Sequence, residues 1–117
     1  MNHSLILPLP PSTNRRMIRS RTTGFQILST EARDWLLDAS KLVWVYCNNN
    51  KIKPYNYFFH LDLRFFLTRS NADSHNYLKL LCDALEKGGL CTDDRYIMTR
   101  IQMVDKDPKN PRVELSF

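Results

Sequence analysis

The sequence predicts an α+β fold: a small mixed four-stranded sheet with two packed helices, in the order β-α-β-α-β-β. Three observations point there. Residues 57 to 67 alternate apolar and polar positions with the period of a strand, and residues 30 to 47 and 74 to 87 repeat apolar positions with the period of a helix. The other apolar runs are short and bounded by Pro, Gly and Asn. At 117 residues the chain has the size of one hydrophobic core, so 1–117 is read as a single domain.

Each element has a local cause. Ser4 to Leu9 is an apolar strand stopped by Pro10 and Pro11, which cannot donate to a ladder. Ser12 to Ser29 is polar and basic and reads as a surface arm, pinned in part by Met17, Ile18, Phe25 and Ile27. Ser29 or Thr30 caps a first helix to about Cys47, with Trp35, Leu36, Ala39, Leu42, Val43 and Tyr46 on its apolar face. In the long strand Tyr57, Phe59, Leu61, Leu63, Phe65 and Leu67 form the apolar side. Phe58 and Phe66, on the other side, are expected under a helix or a dimer partner rather than stacked on bases. The second helix, about Ser74 to Lys87, is expected to bury Leu78, Leu81, Cys82 and Leu85, and Gly88-Gly89 supplies a left-handed stop. Arg95 to Val104 and Arg112 to Phe117 complete the sheet around a turn-rich segment from Asp105 to Pro111.

A formal charge of +5 and a pI near 9.3 favour an acidic partner, nucleic acid first. Arg15, Arg16, Arg19 and Arg21 crowd one short segment, and guanidinium groups bind phosphate bidentately, so this arm is the expected clamp on a nucleic-acid backbone. Arg69, Lys51 and Lys53 would extend that surface. Cys47, Cys82 and Cys91 lack zinc or redox spacing, the N-terminus lacks a signal-peptide core, and no run is long enough to span a membrane, so a cytoplasmic protein is expected. Ferredoxin-like and RNA-binding folds share the element count but not the order, and the glycine-and-aromatic strand motif of an RNA recognition motif is absent.

The richest stretch is Asp73-Ser74-His75-Asn76-Tyr77-Leu78-Lys79, followed beyond the helical run by Gly88-Gly89-Leu90-Cys91-Thr92-Asp93-Asp94. Asp73 can be a helix cap and Asp93-Asp94 turn residues. They can equally be oxygen ligands for Mg²⁺, with Lys79 supplying positive charge to a scissile phosphate or a departing oxygen. On that reading Asp73 and Asp94 are ligands and Asp93 supports them or joins them. Asn76 orients a ligand, bonds DNA, or is an ordinary first-turn polar residue. Asp83 and Glu86 read as solvated helix positions.

These residues carry a resemblance. Leu7-Pro8-Leu9-Pro10-Pro11-Ser12-Thr13-Asn14, Asp73-x-x-Asn76-x-x-Lys79 and Leu90-Cys91-Thr92-Asp93-Asp94, in that order, resemble the RusA-type Holliday junction resolvases, a phage and prophage family. The resemblance spans nearly the whole chain. It implies a Mg²⁺-dependent crossover junction endodeoxyribonuclease of DNA recombination and repair, acting as a homodimer on four-way junction DNA. With the arm arginines and Arg69, Asn14 and Asn76 of these motifs are the expected DNA contacts. The chain departs from the family's Asp-x-Asp-Asn at one place, where His75 replaces the second carboxylate. His75 is then a metal ligand that shifts preference toward Mn²⁺, a phosphate contact, or the cause of a weakened homologue that binds branched DNA without cutting it.

Geometry adds an expectation. A helix of about 14 residues is about 20 Å long, so Asp73 and Asp94 start near its opposite ends. To share one cation, either Gly88 to Asp93 runs back along the helix or Asp94 comes from a second subunit. The second arrangement is the expectation favoured by the two symmetric cuts that junction resolution requires.

Overall fold

The computed structural model describes the chain except for residues 1, 13–16, 25 and 70–73; of Met17 and Gln26 it describes the backbone alone. The elements are β1 (Ser4–Pro8), β2 (Met17–Arg19), β3 (Gln26–Leu28), α1 (Thr30–Asn49), β4 (Phe59–Leu67), a 3-10 turn at Ser74–Tyr77, α2 (Leu78–Lys87), a second 3-10 turn at Asp94–Tyr96, β5 (Ile97–Lys106) and β6 (Arg112–Ser116). The predicted α+β class holds. Strands order as β1-β6-β4-β5, with β6 antiparallel to both β1 and β4 and β5 parallel to β4. A parallel neighbour needs a crossover, and α2 is that crossover.

The alternation of β4 sets the architecture. Leu61, Leu63, Phe65 and Leu67 are buried, as are Leu7, Val113 and Leu115 on the neighbouring strands, and α1 and α2 cover this face. Burying a leucine-sized side chain stabilises by about 1.5–3 kcal/mol, so this row is the fold's main anchor. Ser29 caps α1 by accepting from the Ala32 N–H at 3.1 Å, and Trp35 Nε1 donates to the Pro8 carbonyl at 3.0 Å, tying α1 to the end of β1. The pairing of β4 with β5 shifts between Leu63 and Arg64, leaving Gln102 as the extra residue of a bulge. Among the described residues, no helix is long and apolar enough to cross a membrane.

Four local expectations need correction. The Ser12 to Ser29 arm is in part a hairpin, β2 with β3, closed by a turn in which Gly24 donates to the Ser20 carbonyl at 2.9 Å with φ +75°. Its strands are three residues each, too short for alternation to reveal. The second helix starts later than expected, because Ser74–Tyr77 is 3-10, and its buried residues are Leu80, Leu81, Ala84 and Leu85, with Leu78 and Cys82 only half-buried. Of the two glycines only Gly89 is left-handed, at φ +90°. Phe58 precedes β4 and is 61% exposed, while Phe66 lies 3.8 Å beneath the Arg112 guanidinium, so within the chain neither is under a helix.

Candidate catalytic and nucleic-acid site

The segment after α2 turns back along the helix. Leu90 N–H donates to the Leu85 carbonyl, and Tyr55 and Cys91 form a parallel bridge through Tyr55 N–H to Leu90 and Thr92 N–H to Tyr55, both near 3 Å. This bridge lays residues 90–92 beside the chain that enters β4. The next residues form one tight turn: Asp93 caps it, its Oδ1 accepting from the Arg95 N–H at 2.9 Å, and Asp94 opens it. Asp94 N–H in turn donates to Glu86 Oε1 at 3.0 Å, which fastens the turn to the last part of α2.

The result is a concentration of carboxylates. Glu86, Asp93 and Asp94 each offer an oxygen within 4.8 Å of one another's. Lys79 reaches into the same group, its Nζ 2.9 Å from Asp83 Oδ1 and 3.3 Å from Asp94 Oδ2. Asp94 therefore approaches the start of α2 within one chain, by the folded-back route, and a second subunit is not needed for that approach. Arg95 Nε stands 3.9 Å from Asp93. Four carboxylates thus face two cations, a balance that leaves net negative charge on an otherwise basic chain.

The ionisable neighbours register that charge. The Lys79 ammonium is held above its ordinary range, first by its hydrogen bond to Asp83 and further by Asp94, so it is a permanent cation rather than a proton donor at neutral pH. Burial pushes the Cys82 thiol up to about 12, with Asp94 and Asp83 adding to the shift. Burial likewise pushes Cys91 up to about 11, helped by Glu86. Neither thiol supplies a thiolate at neutral pH, which leaves the oxygen donors to define the site.

The donor set suits a hard divalent cation. Carboxylate oxygens gathered around one point are what Mg²⁺ takes, alongside water and phosphate oxygens. Among the described residues the group consists of Glu86, Asp93 and Asp94; Asp73, the expected partner of Asp94, lies outside them, and His75 is not part of the group. Sequence reasoning set Glu86 and Asp83 aside. The signal for them was present: Lys79, Asp83 and Glu86 stand at i, i+4 and i+7, one face of one helix.

The expected nucleic-acid contacts are distributed. Arg19 ends β2 and Arg21 sits in the hairpin turn, both exposed, and Arg69 is exposed just beyond β4. Lys51 and Lys53 are exposed after α1. Asn14, Arg15 and Arg16 lie outside the described residues. His75 is exposed and Asn76 half-buried on the 3-10 turn that leads into α2, and Asp73 lies outside the described residues.

No curated protein matches the chain. A family model described as Endodeoxyribonuclease RusA matches residues 8–116, from the end of β1 through β6 and including every element of the acidic site. With the match spanning nearly its whole length, the chain belongs to the RusA endodeoxyribonuclease family.

Proposed function

We propose that this protein is a metal-dependent crossover junction endodeoxyribonuclease that hydrolyses phosphodiesters in four-way DNA junctions. The observation that carries the reading is the convergence of Glu86, Asp93 and Asp94 beside Lys79 in a chain of the RusA family. Asp94, Asp93 and Glu86, together with Asp73, would hold Mg²⁺ or Mn²⁺. Such an ion supplies an activated water and charge compensation at the phosphoryl oxygens. The protein's own part is positioning. The Glu86 bond to Asp94 N–H and the Asp93 cap fix the turn, and Lys79 presents a fixed positive charge to the scissile phosphate.

Binding rests on backbone contacts. Arg19 and Arg21 on the hairpin, with Asn14, Arg15 and Arg16 before it, and Arg69, His75 and Asn76 near the start of α2, form the proposed DNA surface. A homodimer completes the reading, since two symmetric cuts call for two sites and each chain contributes one such cluster among its described residues.

The test uses a labelled four-way junction, a linear duplex and a stem-loop RNA, each with Mg²⁺, Mn²⁺ or chelator. Only the junction should be cut, and only with metal. Glu86→Gln should lower the cutting rate by about 10- to 100-fold with junction affinity retained, as loss of a metal-site partner does. Cutting in chelator, or equal cutting of the duplex, defeats the proposal. Binding without cutting under either metal would select the weakened homologue, with His75 at the family's carboxylate position as its cause.

A further inference from the structure

The register of the parallel pair sets Phe59 opposite Ile97 and His60 opposite Met98, so one step earlier Phe58 and Tyr96 meet on the outer side of the sheet, away from the helices. Their rings pack edge to face, centroids 5.4 Å apart at 81°. Phe58 nevertheless remains 61% exposed, on a chain that has room in its core for larger rings than leucine, as Phe65 shows. The Arg95 guanidinium carbon lies 4.9 Å from the Tyr96 ring centroid, and Arg95 Nη2 donates to the Tyr96 hydroxyl at 3.0 Å. Phe58, Tyr96 and Arg95 thus form one contiguous cluster of two nearly perpendicular rings and a guanidinium group, with the exposed Phe58 ring at its outer end.

This surface is built into the acidic site. The turn that carries Asp93 and Asp94 also carries Arg95 and Tyr96, and two residues span at most about 7 Å of chain. Arg95 links the two, its Nε 3.9 Å from Asp93 and its guanidinium carbon 4.9 Å from the Tyr96 ring centroid. A nucleobase is neutral and offers a π-face that aromatic rings and guanidinium groups bind regardless of sequence.

We infer that Phe58 and Tyr96, with Arg95, form a stacking platform that receives an unstacked nucleobase next to the scissile phosphate. The inference rests on the proposed nuclease reading and adds its means of substrate selection. In continuous duplex every base face is covered by its neighbours, and exposing one costs free energy, least where stacking is already interrupted. At the branch of a four-way junction that interruption exists. The platform favours branched over linear DNA without reading a base edge.

The experiment places 2-aminopurine beside the cut position of a four-way junction and follows its emission on binding, together with single-turnover cleavage. Wild type should change the emission on the junction and leave it unchanged in a linear duplex. Phe58→Leu keeps the apolar bulk but removes the ring, and Tyr96→Leu does the same at the second position. Each should abolish the emission change and weaken productive junction binding by about 5- to 150-fold, the range for losing one base–aromatic stack. Phe58→Tyr, which keeps a ring, should behave as wild type and excludes a general loss of structure. Linear-duplex affinity should not move. If wild type cuts the junction and both leucine variants match it in emission and rate, the platform is overturned while the nuclease reading stands. If wild type neither binds nor cuts the junction, the nuclease reading fails and the platform with it.

Discussion

Glu86 shows how one side chain can organise a site from outside the obvious motif. Its Oε1 accepts from the Asp94 backbone while its carboxylate faces Asp93 and Asp94, so it both anchors the turn and adds charge to it. Burial first, and then the charges of Asp94 and Asp83, raise the Cys82 thiol, while burial and Glu86 raise Cys91. An unfolded thiol ionises near 9.0, whereas folded Cys82 keeps its proton to about 12 and folded Cys91 to about 11. Between those limits the folded chain binds more protons than the unfolded one, so stability falls as pH rises. The contribution is complete below pH 9 and is lost on the way to pH 11 and 12. Thermal melts of Cys82→Ser from pH 7 upward should therefore decline less steeply above pH 9 than those of wild type. Parallel declines would place the thiol in a more solvated and less acidic setting than the structure gives it.

At the scale of elements, Gly88 decides how closely α2 approaches α1. Its φ of −78° is open to any residue, so conformation is not the reason for glycine. A Cβ at this position would stand 2.5 Å from Val43 Cβ and 2.8 Å from the Ser40 carbonyl oxygen. Both contacts involve the body of α1 and cannot swing aside. Gly88→Ala should thus lower unfolding free energy in urea by about 1–3 kcal/mol, the usual cost of overpacking. Because Gly88 precedes the return segment, the variant should also lose cleavage at temperatures where it is still folded. A denaturation midpoint equal to wild type would show that the two helices have slack at their crossing. The edges of the sheet are managed by similarly local means: β1 ends in Pro8, and β5 carries the Gln102 bulge and Lys106 on its open side.

At the scale of the whole molecule, the return of the chain from α2 brings Asp94 to Lys79 without help from another subunit. This changes the expected behaviour of mixed dimers. Asp73→Asn and Asp94→Asn should each bind junctions without cutting them. If both carboxylates of a site belong to one chain, every site in a mixed dimer lacks one of them. Mixing the two variants under conditions that exchange subunits should then recover no nicking, with exchange confirmed by mass measurement. Recovery of single nicks would mean that each site draws Asp73 and Asp94 from different chains. The outward face bears on partner choice too: its outer positions include Asp62 paired to Arg100 at 2.6 Å and Arg112 paired to Glu114 and Asp107, so much of its charge is already satisfied.

The sequence by itself determined the sheet's buried row, the two helices, a cap at Ser29 or Thr30 and the family, because each depends on short-range periodicity or on residues close together in the chain. The alternation from Phe59 to Leu67 could be read directly, since a strand's inner and outer faces follow from a period of two. The hairpin was hidden because two strands of three residues carry too little pattern. The acidic site was legible only in part. Asp93, Asp94 and Lys79 stood out as a motif, but Glu86 and the Phe58–Tyr96 pair acquired meaning from contacts between residues 8 and 38 apart in the chain. Those contacts follow from the parallel register of β4 and β5 and from the bridge at Tyr55 and Cys91, and pairing of distant strands is fixed by the joint burial of both partners on one core, which no local stretch of sequence encodes.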